Sequence, residues 1–130
     1  MAIINWGENF SVNVVPMDDQ HKNLVSIMDR LDAAIREQRS ALMIEPVINE
    51  LFSSAALHTT AEEELLKISH YPELTAHKKM HSFFIREIFL LKHEFSSGRE
   101  MNARNVLRFI RDWFLHHISN ADRKYGEFLH

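Results

Sequence analysis

Two pairs of side chains sit one helical turn apart and could aim nitrogen and oxygen at a common point: His58 and Glu62 in HTTAE, and His77 and His81 in HKKMH. Residues at i and i+4 share a face of an α-helix, so each pair offers two electron donors on one side of one element. That is the spacing of metal ligands or of groups that exchange a proton. His21, His117 and Asp122 are single residues of the same types elsewhere in the chain. The last two pose a problem, because in HHISNADRKY (residues 116–125) they stand five apart, a rotation of about 140° on a regular helix. Either a local π-type turn, one residue wider than α, brings Asp122 onto the His117 face, or Asp122 reaches across from a neighbouring face. Tyr125 with Phe128 suits an unbroken helix, and Tyr125 with Leu129 suits a register restarted at Asp122.

The elements that must position these residues are helices. The chain has 130 residues with only 3 glycines and 3 prolines, and Leu, Ala, Glu, Met and Arg are frequent, which favours helix over strand. The breakers divide it. An irregular N-terminal arm (residues 1–16) precedes a helix over about 17–38, with Asp18 and Asp19 as acidic first-turn residues. Pro46, tolerated in a first turn, puts the start of a second helix at 43–45, continuing to about 69. His70, Tyr71 and Pro72 form a tight turn, with Pro72 opening a third helix that stops near Ser96, Ser97 and Gly98. A fourth runs from about 101 to the end. Four helices of this length on short connections predict one all-α domain over 1–130, an antiparallel up-down-up-down four-helix bundle.

The apolar stripe of each helix shows what faces the core. It comprises Leu24, Met28, Leu31 and Ile35 in the first helix, extended back to His21. In the second, Ile48, Leu51 and Ala55 continue through His58 and Glu62 to Leu65. The third carries Leu74, His77, His81, Phe84, Ile88 and Leu91, and the fourth Val106, Ile110, Trp113 and His117. A lone histidine on such a stripe is ordinarily a hydrogen-bonded core residue. Five of them with a glutamate at similar depth are hard to satisfy with protein partners alone, and bundle cores are a known place for metal sites. His70 falls in the turn, His93 and His116 off the stripes, and His130 at the terminus. Glu63 and Glu64 rotate away from Glu62, towards solvent.

The composition excludes several classes. With 15 basic and 18 acidic residues, a formal charge of −3 and no long run of one sign, the chain carries no nucleic-acid footprint. No segment approaches the length of apolar residues that spans a membrane, and the N-terminus lacks the pattern of a secretory signal, so no membrane anchor and a cytoplasmic location are expected. There is no cysteine, which removes disulfides, thiolate ligands and a cysteine nucleophile. No phosphate-binding glycine loop or serine triad is evident.

If Asp122 joins the set, five imidazoles and two carboxylates are too many ligands for one ion. Without sulfur they suit non-haem iron best, with manganese or zinc as substitutes. Two octahedral irons bridged by both carboxylates and by an oxide or hydroxide then keep one coordination position open, enough for a small diatomic molecule end-on. A carboxylate-rich di-iron oxidase would instead show Glu-x-x-His motifs among its core ligands, and the apolar stripes carry none.

Over nearly its whole length the chain resembles the hemerythrin-like proteins, and within them the single-domain bacterial forms. The resemblance rests on Trp6 in the arm, Asp18-Asp19-Gln20-His21-Lys22, His58-x-x-x-Glu62-Glu63, Tyr71-Pro72, His77-x-x-x-His81, and His117-Ile118 followed by Asp122 and Tyr125. It implies that His77, His81 and His117 hold one iron, that His21 and His58 hold the other, and that Glu62 and Asp122 bridge. It also implies that dioxygen binds reversibly at the two-histidine iron, for carriage, storage or delivery, with a reductant or an oxygen-consuming protein as a partner. A binding protein rather than an enzyme is expected. The alternatives are an oxygen or redox sensor and a di-iron enzyme acting on peroxide, nitric oxide or nitrite. Thr59 stands where the family commonly has an aromatic residue, and Asn13 where it commonly has glycine.

Overall fold

A computed structural model describes residues 10–130 of the chain; Trp6 lies outside them. Helix α1 spans Val15–Arg36, α2 Ala41–Ile68, α3 Leu74–Ser96 and α4 Glu100–His117. A π-helical segment, Ile118–Asp122, then leads without a break into α5, Arg123–Leu129. Each of the four long helices packs on its two neighbours in the ring α1, α2, α3, α4 and back to α1. With connections of a few residues, that closes an antiparallel four-helix bundle, and no strand occurs among the described residues.

The helices stop in one way. At the ends of α1, α2 and α3 a residue adopts a left-handed conformation: Gln38 (φ 58°), His70 (φ 56°) and Gly98 (φ 79°). The next amide reaches back five residues, from Arg39 to Ala34, Tyr71 to Leu66 and Arg99 to Glu94. This is the Schellman pattern, which satisfies carbonyls left free at a helix end. Only one of the three positions is glycine, the residue that adopts this conformation without steric cost.

Three starts differ from the sequence expectation. Helix α2 begins at Ala41, before residues 43–45, and Pro46 lies inside it. Pro46 is exposed, so the carbonyl its missing N–H cannot serve faces water. Helix α1 begins at Val15, two residues before Met17, with Pro16 inside its first turn. The third helix begins two residues beyond Pro72, which remains in the turn.

The predicted stripes of α1 and α3 are buried, Leu74 only partly. In α2 the last core position is Leu66, with Leu65 at the margin, and in α4 the core takes Ala103, Leu107, Ile110 and Phe114 rather than Val106 and Trp113. A buried Asp32 on α1 pins α4, accepting a hydrogen bond from Arg104 at 3.2 Å while Arg36 lies 3.6 Å away. Among the described residues, no helix is long and apolar enough to cross a membrane.

Candidate metal centre

The seven residues singled out by type and spacing meet in the bundle core. His21, His58, Glu62, His77, His81, His117 and Asp122 are all buried, and Glu62 and Asp122 are wholly enclosed. Helix α1 supplies His21, α2 His58 and Glu62, α3 His77 and His81, α4 His117, and the π segment Asp122.

The π segment answers the spacing problem. The amide of Arg123 bonds to the carbonyl of Ile118, five residues back, so the turn holds one residue more than α. That brings Asp122 Oδ1 to 3.0 Å from His117 Nε2. Downstream, Tyr125 is fully buried, Leu129 packs on the core and Phe128 is exposed, the register of a helix restarted at Asp122.

The two carboxylates divide their oxygens between two groups of imidazoles. Glu62 Oε1 lies 2.8 Å from His77 Nε2 and 2.9 Å from His81 Nε2. Its Oε2 lies 3.3 Å from His21 Nε2 and 3.4 Å from His58 Nε2. Asp122 repeats the division, with Oδ1 at 2.9 Å from His77 Nε2 and at the His117 distance above, and Oδ2 at 3.1 Å from His21 Nε2. Two sets of donor atoms result, each within 4.8 Å: Glu62, His77, His81, His117 and Asp122 in one, and His21, His58, Glu62 and Asp122 in the other.

His81 and His58 are turned to present lone pairs inward. His81 Nδ1–H donates to Glu63 Oε2 at 2.7 Å, and His58 Nδ1–H donates to Gln20 Oε1 at 2.7 Å. A proton on Nδ1 leaves Nε2 as a base facing the cluster, the tautomer that binds a cation. The corresponding protein partners are missing: His58 Nε2, His117 Nε2 and both oxygens of Asp122 are buried without a hydrogen bond. Asp122 has three imidazole nitrogens at contact distance, none aligned to donate to it. A buried carboxylate and bases so placed are costly in a closed protein, and one or two cations between the groups would satisfy all of them. The donor set of nitrogen and oxygen fits first-row transition metals.

Electrostatics agree. Burial acts against a charged His21, yet the carboxylates of Asp122 and Glu62 outweigh it and raise its pKa from 6.5 to about 9. The same opposition, with the same outcome, takes His77 to about 9. Burial alone would raise Glu62, but the surrounding histidines hold it well below the usual carboxylate range. Asp122 is also held low, with burial and the Glu62 charge opposed by His117 and His21. Without a cation the cluster keeps its balance by holding protons on His21 and His77.

Three neighbours that the motif contains were given no role at the centre from the sequence. Glu63, expected to face solvent, holds His81 as described, with its side chain only 26% exposed. Gln20, one residue before His21, holds His58. Tyr125 donates its hydroxyl proton to Glu62 Oε2 at 2.7 Å, and burial followed by the nearby carboxylates pushes the phenol far above its ordinary range. The signal for each was proximity in sequence to a ligand, which does not say which way a side chain turns. Aromatic rings close the rest. Phe114 meets His21 and His58 edge-on, with centroids 5.7 and 6.4 Å away, and Trp113 stacks on His117 at 4.9 Å.

Comparison with known proteins agrees with this geometry. Residues 13–129 match the family model of the hemerythrin HHE cation binding domain. A bacteriohemerythrin of Methylococcus capsulatus is 30% identical, covering 99% of this chain and 98% of its own length. A hemerythrin-like protein of Naegleria fowleri is 31% identical over 93% of this chain and 89% of its own. A solved wild-type hemerythrin structure superposes with a TM-score of 0.87 at 27% identity, covering 97% of both chains. With a family match that runs through every helix, and relatives aligned along nearly their full length, the chain belongs to the hemerythrin family.

Proposed function

We propose that the chain binds dioxygen reversibly at a pair of iron ions, His77, His81 and His117 holding one, His21 and His58 the other, with Glu62 and Asp122 bridging. The observation that carries this is the division of both carboxylates, one oxygen towards the three-histidine group and the other towards the two-histidine group. A single-metal site would not need both carboxylates to face two ways. Iron held by these residues would supply the electrons and the Lewis acidity that reversible capture of dioxygen needs.

The chain's own residues supply the selectivity. The two-histidine group has one ligand fewer and lies against the Phe114 ring, an apolar wall that disfavours water beside it. Tyr125 stays protonated and donates to Glu62, and Gln20 and Glu63 fix the ring orientations of His58 and His81. With seven protein ligands around two ions, little space is left for an organic substrate, so we read the protein as a carrier or store rather than an enzyme. Oxygen-dependent signalling to another protein, and turnover of peroxide, nitric oxide or nitrite, are the readings it displaces.

Iron analysis should give two ions per chain. The reduced protein should gain a visible charge-transfer band in air, lose it under vacuum and regain it over repeated cycles. Immediate and permanent conversion to the diferric form in air, or steady turnover of peroxide, nitric oxide or nitrite with a reductant, would overturn the carrier reading.

A further inference from the structure

Residues 11–13 of the arm lie between the start of α1 and the final helix, tied on both sides. On the α1 side, Asp18 accepts two hydrogen bonds, from the Val12 amide to Oδ1 at 2.9 Å and from the Ser11 hydroxyl to Oδ2 at 2.8 Å. On the α5 side, His130 Nε2–H donates to the Asn13 carbonyl at 2.8 Å. Val12 is buried, and its carbonyl oxygen presses on Gly126 so closely that a Cβ there would stand 2.4 Å from it. Asn13 takes φ 59° to make the bend, a conformation open mainly to glycine and to Asn or Asp.

We infer that this stretch of the arm is a clasp that holds Asp122 and Tyr125 at the metal centre, and that Gly126 is the positioning residue on which it closes. The inference rests on the metal reading given above. Asp18 lies three residues before His21, and Gly126 lies four after Asp122, so the arm ties together the two elements whose ligand atoms meet at 3.1 Å in the pair of His21 Nε2 and Asp122 Oδ2. The need for a tie is physical. Helix α5 has seven residues, too few to be stable alone, and it follows a π segment whose wider turn is a rare and less favourable arrangement. Yet its one fully buried aromatic, Tyr125, and the aspartate just before it both act on the cluster.

A second explanation for Gly126 makes the opposite prediction. If it merely occupies a helix, alanine, the better helix former, would steady α5. If it seats the arm, alanine would drive the Val12 carbonyl away and loosen both Asp122 and Tyr125.

The test loads the chain with ferrous iron and follows transfer to a ferrous chelator, with amide hydrogen exchange of residues 118–129 measured separately in the metal-free chain. Gly126→Ala, Asp18→Ala and a chain lacking residues 2–13 should each release iron about tenfold faster, the scale of losing a supporting partner. They should exchange faster over 118–129, with α2 and α3 unchanged. Adding Gly126→Ala to the shortened chain should have no further effect. Asp18→Ala inserts no atom, so it carries the test if Gly126→Ala fails to fold. Release within twofold of the parent in Asp18→Ala and the shortened chain would overturn the clasp alone, as would an equal effect of Gly126→Ala with and without the arm. A parent chain that takes up no iron would overturn the metal reading and the clasp with it.

Discussion

Replacing Glu63 by glutamine separates the two halves of the centre. Glu63 Oε2 accepts from His81 Nδ1–H at 2.7 Å, while no carboxylate plays that part for His58, whose partner is the neutral Gln20. A glutamine can keep the hydrogen bond through its carbonyl oxygen but loses the charge. Charge-assisted bonds of this kind are about twice as strong as neutral ones, a difference of about 1 kcal/mol. At 1.36 kcal/mol per decade this is roughly fivefold in affinity for the ion held by His77, His81 and His117. Glu63→Ala, which leaves His81 unsupported, should weaken the same ion about 10- to 100-fold. Titrating the metal-free chain with ferrous iron against a competing chelator resolves the two equivalents. One should weaken in the order glutamine then alanine, and the other should hold. Equal weakening of both, or neither, would refute the idea that each ion depends on its own outer partner.

Tyr125→Phe removes one donor from the buried Glu62 without changing shape. It should cost about 1.5–3 kcal/mol in the metal-free protein, read by urea unfolding, since a bond to a buried charge is lost. The pH dependence of that metal-free stability follows from His21 and His77, raised to about 9. Because their folded values lie above the unfolded 6.5, their contribution is complete below pH 6.5 and disappears as pH rises through 9, while that of the depressed Glu62 and Asp122 is present above about pH 4.5 and falls in acid. Stability should therefore peak between about pH 4.5 and 6.5, whereas iron affinity should rise from pH 7 to 9 as the metal displaces those protons, a trend that isothermal titration in buffers of different ionisation heat would detect as proton release. Gln38→Gly should raise the melting temperature by a few degrees, by relieving a left-handed conformation worth about 1 kcal/mol.

The ligand helices were legible because their signal is periodic. His58 with Glu62 and His77 with His81 sit at the helical spacing within apolar stripes, and burial followed. The errors fell where one residue of register matters. In α4 the stripe was placed on Val106 and Trp113, but the core takes Leu107 and Phe114; both sets obey a helical period, and only packing against three other helices chooses between them. Pro46 was read as a start signal, but at an exposed face a proline can sit deeper in a helix. The stops expected near 38 and 69 fall at Arg36 and Ile68, although neither left-handed position, Gln38 or His70, is a glycine. The roles of Glu63, Gln20 and Tyr125 depend on side-chain direction across helices, which spacing along one helix does not encode.

The π segment has a further consequence for how this chain can change. Deleting any one residue between 118 and 121 would restore an ordinary helix, shorter and with better hydrogen bonds, and would leave the aspartate four residues after His117, still on its face. What local backbone energy opposes is the π turn itself: relaxed to α with every residue kept, it would swing Asp122 about 140° from His117. The wide turn and the place of Asp122 in the cluster are therefore kept or lost together, and whatever holds the cluster closed also holds the backbone in its less favourable form.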